Sequence, residues 1–174
     1  MKKISLSTRS FQFRVTLVLI LSMLFCGAMC NYLIYKFTLD SQFKSLRNKL
    51  TIIAQAAALQ VDADTLLKIP LSREGIYSAP FQIIKEKLKK IKNIDSVFRY
   101  IYTMRKTDKE GIWQFVVDPN PPTMQEEKEG ITSYPGDRYD ASRFSEMLKA
   151  FEGPAADSKL EIDEWGATLS GYAP

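Results

Sequence analysis

Residues 15–35, VTLVLILSMLFCGAMCNYLIY, make a run of 21 without one charged side chain. At about 1.5 Å per residue such a run forms a helix roughly 30 Å long, the thickness of a bilayer's hydrocarbon core. Arg14 and Lys36 close it on either side, and Tyr32 and Tyr35 stand near its far end, where amphipathic rings favour the headgroup region. The chain therefore divides into a basic tail, 1–14, a transmembrane helix, 15–35, and a tethered domain, 36–174. A secretory leader competes with this reading, because Lys2, Lys3, Arg9 and Arg14 resemble its basic start. Its apolar stretch would run only about 7 to 15 residues. Ala28-Met29-Cys30 is a poor cleavage site, and neither Cys26 nor Cys30 follows the small residue of a lipoprotein signal. An uncleaved anchor fits better.

Orientation follows less directly. Lys36, Lys44, Arg47 and Lys49 after the span balance the four basic residues before it. Short basic tails usually stay cytoplasmic, and a folded domain crosses largely regardless of its charge, so the expectation is tail inside and domain outside.

Both cysteines lie inside the span, which leaves the domain no disulfide. The net charge of +4 conceals two unlike halves: residues 1–106 hold 18 Lys and Arg against 6 acids, and 107–174 hold 6 against 14. A basic half on a tethered domain suits anionic lipid headgroups. Nucleic acid is not expected, given the anchor and the scatter of the charge. The absence of histidine removes Ser-His-Asp and Cys-His catalysis and every His-ligated zinc or haem. No Gly-rich phosphate loop is present, and the acidic clusters Glu126, Glu127, Glu129 and Asp157, Glu161, Asp163, Glu164 lack the spacing of a calcium loop. The expectation is a non-enzyme with no metal and no cofactor.

Along the chain, Leu39, Phe43, Leu46, Leu50, Ile53 and Ala57 recur at spacings of 4 and 3, and no Pro or Gly intervenes from Ala28 to Ile69. The anchor should continue as one helix beyond the membrane. Two partners could cover this stripe: the same helix of a second subunit, giving a homodimer through 39–57, or the domain's own sheet. Asp62 or Asp64 should cap a short turn at 65–68 that Pro70 ends, with a loop at 72–79. Residues 80–92 predict an amphipathic helix with Phe81, Ile84, Leu88 and Ile91 on one face and lysines elsewhere, either solvated or lying on the membrane surface. Residues 97–105 and 112–117, rich in β-branched and aromatic side chains around a polar link, predict an antiparallel hairpin with apolar residues on both faces. Arg99 and Arg105 share one of those faces and could wall an anion pocket or stand in solvent. Residues 118–140 read as a long irregular cover, followed by a helix at 141–151 capped by Asp140 and an extended segment at 160–173.

This order of elements, with VVDPNPP at 116–122, PGDRYDAS at 135–142, AFEGPA at 150–155 and above all DEWGATLSGYAP at 163–174, resembles the extracytoplasmic PAS-like sensor domains of the PDC or Cache group. Those domains stand at the front of bacterial sensor histidine kinases, diguanylate cyclases and chemoreceptors. The resemblance implies an α+β fold in which the transmembrane helix continues into a long helix packed on a PAS-like antiparallel sheet. It also implies a bacterial inner-membrane location, and a sheet of five strands that would be incomplete at the C-terminus because the sequence stops at Pro174. The chain would then be the input half of a receptor, binding an unknown small solute outside the cell and relaying a helix displacement inward. By analogy the ligand would meet Arg99, Tyr102, Asp118, Tyr134, Asp137 and Tyr139, the arginine pairing a carboxylate or an aspartate pairing an amine. Trp165 and Tyr172 are expected to pack. The alternative is a single-pass membrane protein whose domain only docks another protein.

Overall fold

The computed structural model describes residues 5–95, 98–120, 122–163 and 166–174. It is α+β, with one long apolar helix at the N-terminus and a small antiparallel sheet. Helix α1 (Ser5–Ala58) runs 54 residues without a break, as expected of a stretch lacking proline. Within its apolar run the polar side chains bond back to the helix: Ser22 Oγ donates to the Leu19 carbonyl and Asn31 Nδ2 to that of Gly27, each at 2.9 Å. Such internal satisfaction is what a helix surrounded by hydrocarbon requires. Mean hydropathy reaches 2.2 over 18 residues, and by length and composition the helix can cross a membrane. Residues 11–42 are all exposed.

Two compact units divide the chain, Met1–Ser45 and Leu46–Pro174. The described part of the first is α1. The second begins inside α1, whose turns from Leu46 onward belong to the domain.

In that domain, α2 (Ala63–Leu67) is capped by Asp62, whose Oδ2 accepts from Thr65 N at 2.8 Å. The stretch expected as a loop contains a 3-10 turn, Arg73–Tyr77. Helix α3 (Ala79–Lys92) starts at Ser78, whose hydroxyl accepts from Phe81 N, and buries Phe81, Ile84 and Leu88. The hairpin is present with a shorter first strand than predicted: β1 (Thr103–Lys106) pairs β2 (Ile112–Val117). Val97, the predicted start of that strand, lies outside the described residues. Gly111 sits at φ 74° in the connecting turn, a left-handed conformation that glycine adopts without strain.

Two elements arise inside the segment expected to be irregular. Helix α4 (Met124–Lys128) forms behind a capping box in which Thr123 and Glu126 exchange bonds, a Thr-x-x-Glu signature present in the sequence. Strand β3 (Arg138–Asp140) pairs with β2, completing a sheet of order β1-β2-β3. Asp140 caps no helix: its carboxylate accepts from Ser142 N and Oγ in a local turn, and α5 is only Ser145–Lys149. The final segment is not one strand. Strand β4 (Ala155–Ala156) pairs β7 (Gly171–Tyr172), and β5 (Glu161–Asp163) pairs β6 (Gly166–Thr168). The described strands thus make a three-stranded sheet and two ribbons, in place of one five-stranded sheet.

Strand β2 is covered on both sides. Trp113 and Phe115 enter a cluster with Tyr139, Ala141, Phe144, Met147 and Ala150, while Val116 and Val117 enter a second with Ile69, Phe81, Ile84 and Leu88. The register slips between Thr103 and Met104, which face Val117 and Phe115. The extra residue, Val116, is a bulge that breaks the alternation and turns the end of the strand toward α3. The turns of α1 in the domain meet the β4–β7 ribbon. Arg47 Nη2 donates to the Ala156 carbonyl at 2.9 Å, and the Leu50 backbone lies 2.6 Å from where a Cβ on Gly171 would stand.

Candidate functional site

The six residues expected to bind ligand fall in three places. Asp118, Tyr134 and Asp137 share the excursion after β2, held by hydrogen bonds within it and, for Tyr134, by Arg73 as well. Asp118 Oδ1 accepts from Asn120 N at 2.8 Å and Oδ2 from Ser133 Oγ at 2.7 Å, and Lys92 Nζ donates to Asn120 Oδ1 at 2.8 Å. Burial raises the Asp118 pKa against the pull of these hydrogen bonds. Asp137 accepts from Tyr134 N at 2.9 Å and from the Thr132 hydroxyl. The Tyr134 hydroxyl donates to Glu127 at 2.5 Å and accepts from Arg73 at 3.1 Å, while the Arg73 guanidinium lies 4.4 Å above its ring.

Tyr102 and Tyr139 flank Phe115, both edge-on, at centroid distances of 5.2 and 6.1 Å. Tyr139 is buried, stacks on Phe144 and donates to Asp163 Oδ2 at 2.9 Å. Arg99 is exposed, its guanidinium 5.1 Å from the Tyr100 ring. Arg105 faces Gln114 across the hairpin, and with the amide turned its Nε donates to that side chain at 2.6 Å. None of the six lines the cavity described next.

An open cavity of about 450 Å³ lies between the domain's part of α1, helix α5 and β4. Arg47, Asn48 and Thr51 supply one wall, at helical spacings that place them on one side of α1. Glu146, Lys149, Glu152 and Gly153 to Ala156 complete the lining. Lys149 pairs with Glu146 at 3.2 Å. Arg47 has no acidic partner within ion-pair distance among the described residues, and its Nε, shielded from solvent, has no hydrogen-bond acceptor.

Next to Ala156, the strand pair is fastened by Asp157. Its N donates to the Ser170 carbonyl at 2.9 Å, Oδ2 accepts from Ser170 N at 2.7 Å and Oδ1 accepts from the Tyr172 hydroxyl at 2.9 Å. Burial raises the pKa of Asp157. Burial, with the adjoining carboxylate, raises that of Tyr172 as well. Tyr172 packs against the Trp113–Phe144 cluster, whereas Trp165 lies outside the described residues. In the sequence Arg47 counts only as one of the charges flanking the span. The signals for the cavity were polar residues on α1 at i, i+1 and i+4, and the Gly-Pro turn after Glu152, which nothing in the linear order connects.

Among the described residues no cluster of His, Cys, Asp and Glu is suited to a metal ion. The chain matches no protein-family model, no curated protein and no solved structure.

Proposed function

We propose that the chain is the input portion of a membrane-anchored bacterial receptor of the PAS-like, PDC or Cache, kind. Its domain lies outside the inner membrane, binds a small solute, and transmits binding through α1. The observation that carries this reading is the continuity of α1: the helix that includes the uncharged run extends to Ala58 and supplies a wall of the domain's cavity. A solute filling that cavity would bear on a helix that continues into the apolar segment, so a binding event has a mechanical route. No catalytic step is assigned to the chain.

The test uses the full chain in lipid nanodiscs. Organic acids, amino acids and amines are screened by thermal shift at constant ionic strength, and a spin label on Cys30 of a Cys26→Ser variant reports on the span. A solute that raises Tm saturably and alters the label's mobility is the expected result. A label unmoved by every stabilising solute rejects the relay. A second reading, docking to another protein or to a second copy through α1, is favoured by Leu39 and Leu46, 48% and 37% exposed on the heptad stripe. Size measurement and cross-linking without solute distinguish it.

A further inference from the structure

We propose that the cavity against α1 is a binding site for a small oxyanion, a carboxylate or a phosphate, held by Arg47. This deepens the sensory reading and rests on it only for the consequence to α1. Arg47 is the point from which the inference grows. A guanidinium presents a planar fork of five N–H groups that matches carboxylate and phosphate oxygens. Here Nη2 donates to the Ala156 carbonyl at 2.9 Å, no acid pairs with the charge among the described residues, and the shielded Nε has no acceptor. A partly buried guanidinium that lines an open cavity and has no carboxylate within ion-pair distance among the described residues is a cation whose charge an incoming oxyanion would pair.

The rest of the lining suits the same ligand. Asn48 and Thr51 continue the polar lining along α1, and Lys149, which also lines the cavity, is paired with Glu146. Of the two acids, Glu146 is engaged by Lys149 at 3.2 Å, which leaves Glu152 opposing an incoming anion. A volume of about 450 Å³ admits a small organic acid or phosphate ester. The unlike charges also give the site a signature that a structural role for Arg47 would not produce. Removing the cation should weaken binding, and removing Glu152 should tighten it.

Acetate and inorganic phosphate are titrated calorimetrically into the full chain at fixed ionic strength, in nanodiscs of zwitterionic lipid and in discs containing phosphatidylglycerol. Saturable binding of equal affinity in both kinds of disc assigns a free solute. Saturable binding in zwitterionic discs that phosphatidylglycerol competes away assigns an anionic lipid phosphate; either supports the oxyanion site. Arg47→Gln should weaken binding by roughly tenfold or more, and Glu152→Gln should strengthen it by about threefold. Absence of saturable binding in both kinds of disc, or wild-type affinity in a folded Arg47→Gln variant, overturns the proposal. If Arg47→Gln does not fold, Glu152→Gln decides: affinity equal to wild type or lower overturns it. Binding at Arg47 with an unmoved Cys30 label keeps the site and removes the relay, whereas a solute response that survives Arg47→Gln keeps the relay and removes the site.

Discussion

Asp157 illustrates how much a single carboxylate can hold once the chain has folded. It is 2% exposed and receives bonds from Ser170 N and the Tyr172 hydroxyl. Asp157→Ala would leave both donors without that acceptor, and we expect a loss of about 1–3 kcal/mol in urea unfolding. The pH dependence has a defined sign. Because burial raises its folded pKa, the folded state holds this proton more readily than the unfolded chain. The associated stability is complete below the unfolded carboxylate pKa, about 3.9, and is lost as pH rises through the folded value. Asp157→Asn should therefore remove a downward contribution to stability with rising pH, seen as a more positive slope than wild type above the unfolded carboxylate pKa; an unchanged slope would contradict the assignment. Nothing in the sequence distinguishes Asp157 from Asp163 or Glu164, since its burial depends on the pairing of β4 with β7.

At the scale of elements, the close approach of α1 to β7 depends on Gly171. A Cβ there would stand 2.6 Å from the Leu50 carbonyl carbon and oxygen, far inside van der Waals contact. Gly171→Ala should destabilise the domain by about 1–3 kcal/mol, read as a lower urea midpoint with unchanged helix content. Leu88, 1% exposed under the sheet, tests the α3 cluster: Leu88→Ala should lose about 2–5 kcal/mol by the same measurement. The helix-forming periodicity of 79–92 and the β-branched run of 112–117 made α3 and β2 legible, because each carries its own local pattern. The bulge at Val116, the strand at Arg138–Asp140 and the two ribbons were not, since short strands exist only through partners distant in sequence. The six candidate site residues fall in three places, which the linear order does not foretell. Alternation places side chains on faces, but loop hydrogen bonds took Asp118, Tyr134 and Asp137, and the aromatic core took Tyr139.

For the whole molecule, the span and the stripe make separate predictions. A lysine at the middle of the apolar run, Leu24→Lys, should raise the apparent cost of membrane insertion by about 2.5–3.5 kcal/mol, seen as a fall in the carbonate-resistant fraction. On the stripe, the structure divides what the heptad spacing left open. Ala57 is buried and Leu50 and Ile53 half-buried in the domain, whereas Leu39 and Leu46 remain exposed. Leu46→Asp should therefore abolish cross-linking between copies with little change in the domain's urea midpoint, if the exposed part of the stripe joins two chains.

The sequence by itself determined the long apolar helix, because an uncharged run of 21 residues without proline needs no distant partner to satisfy its backbone. It likewise determined α3 and the hairpin, whose periodicities are local. Only the tertiary structure decided which residues share a cavity. Bringing Arg47 beside Lys149 and Glu152 depends on β4 finding β7 and on α1 resting against Gly171, contacts between residues far apart in the chain that no local pattern encodes.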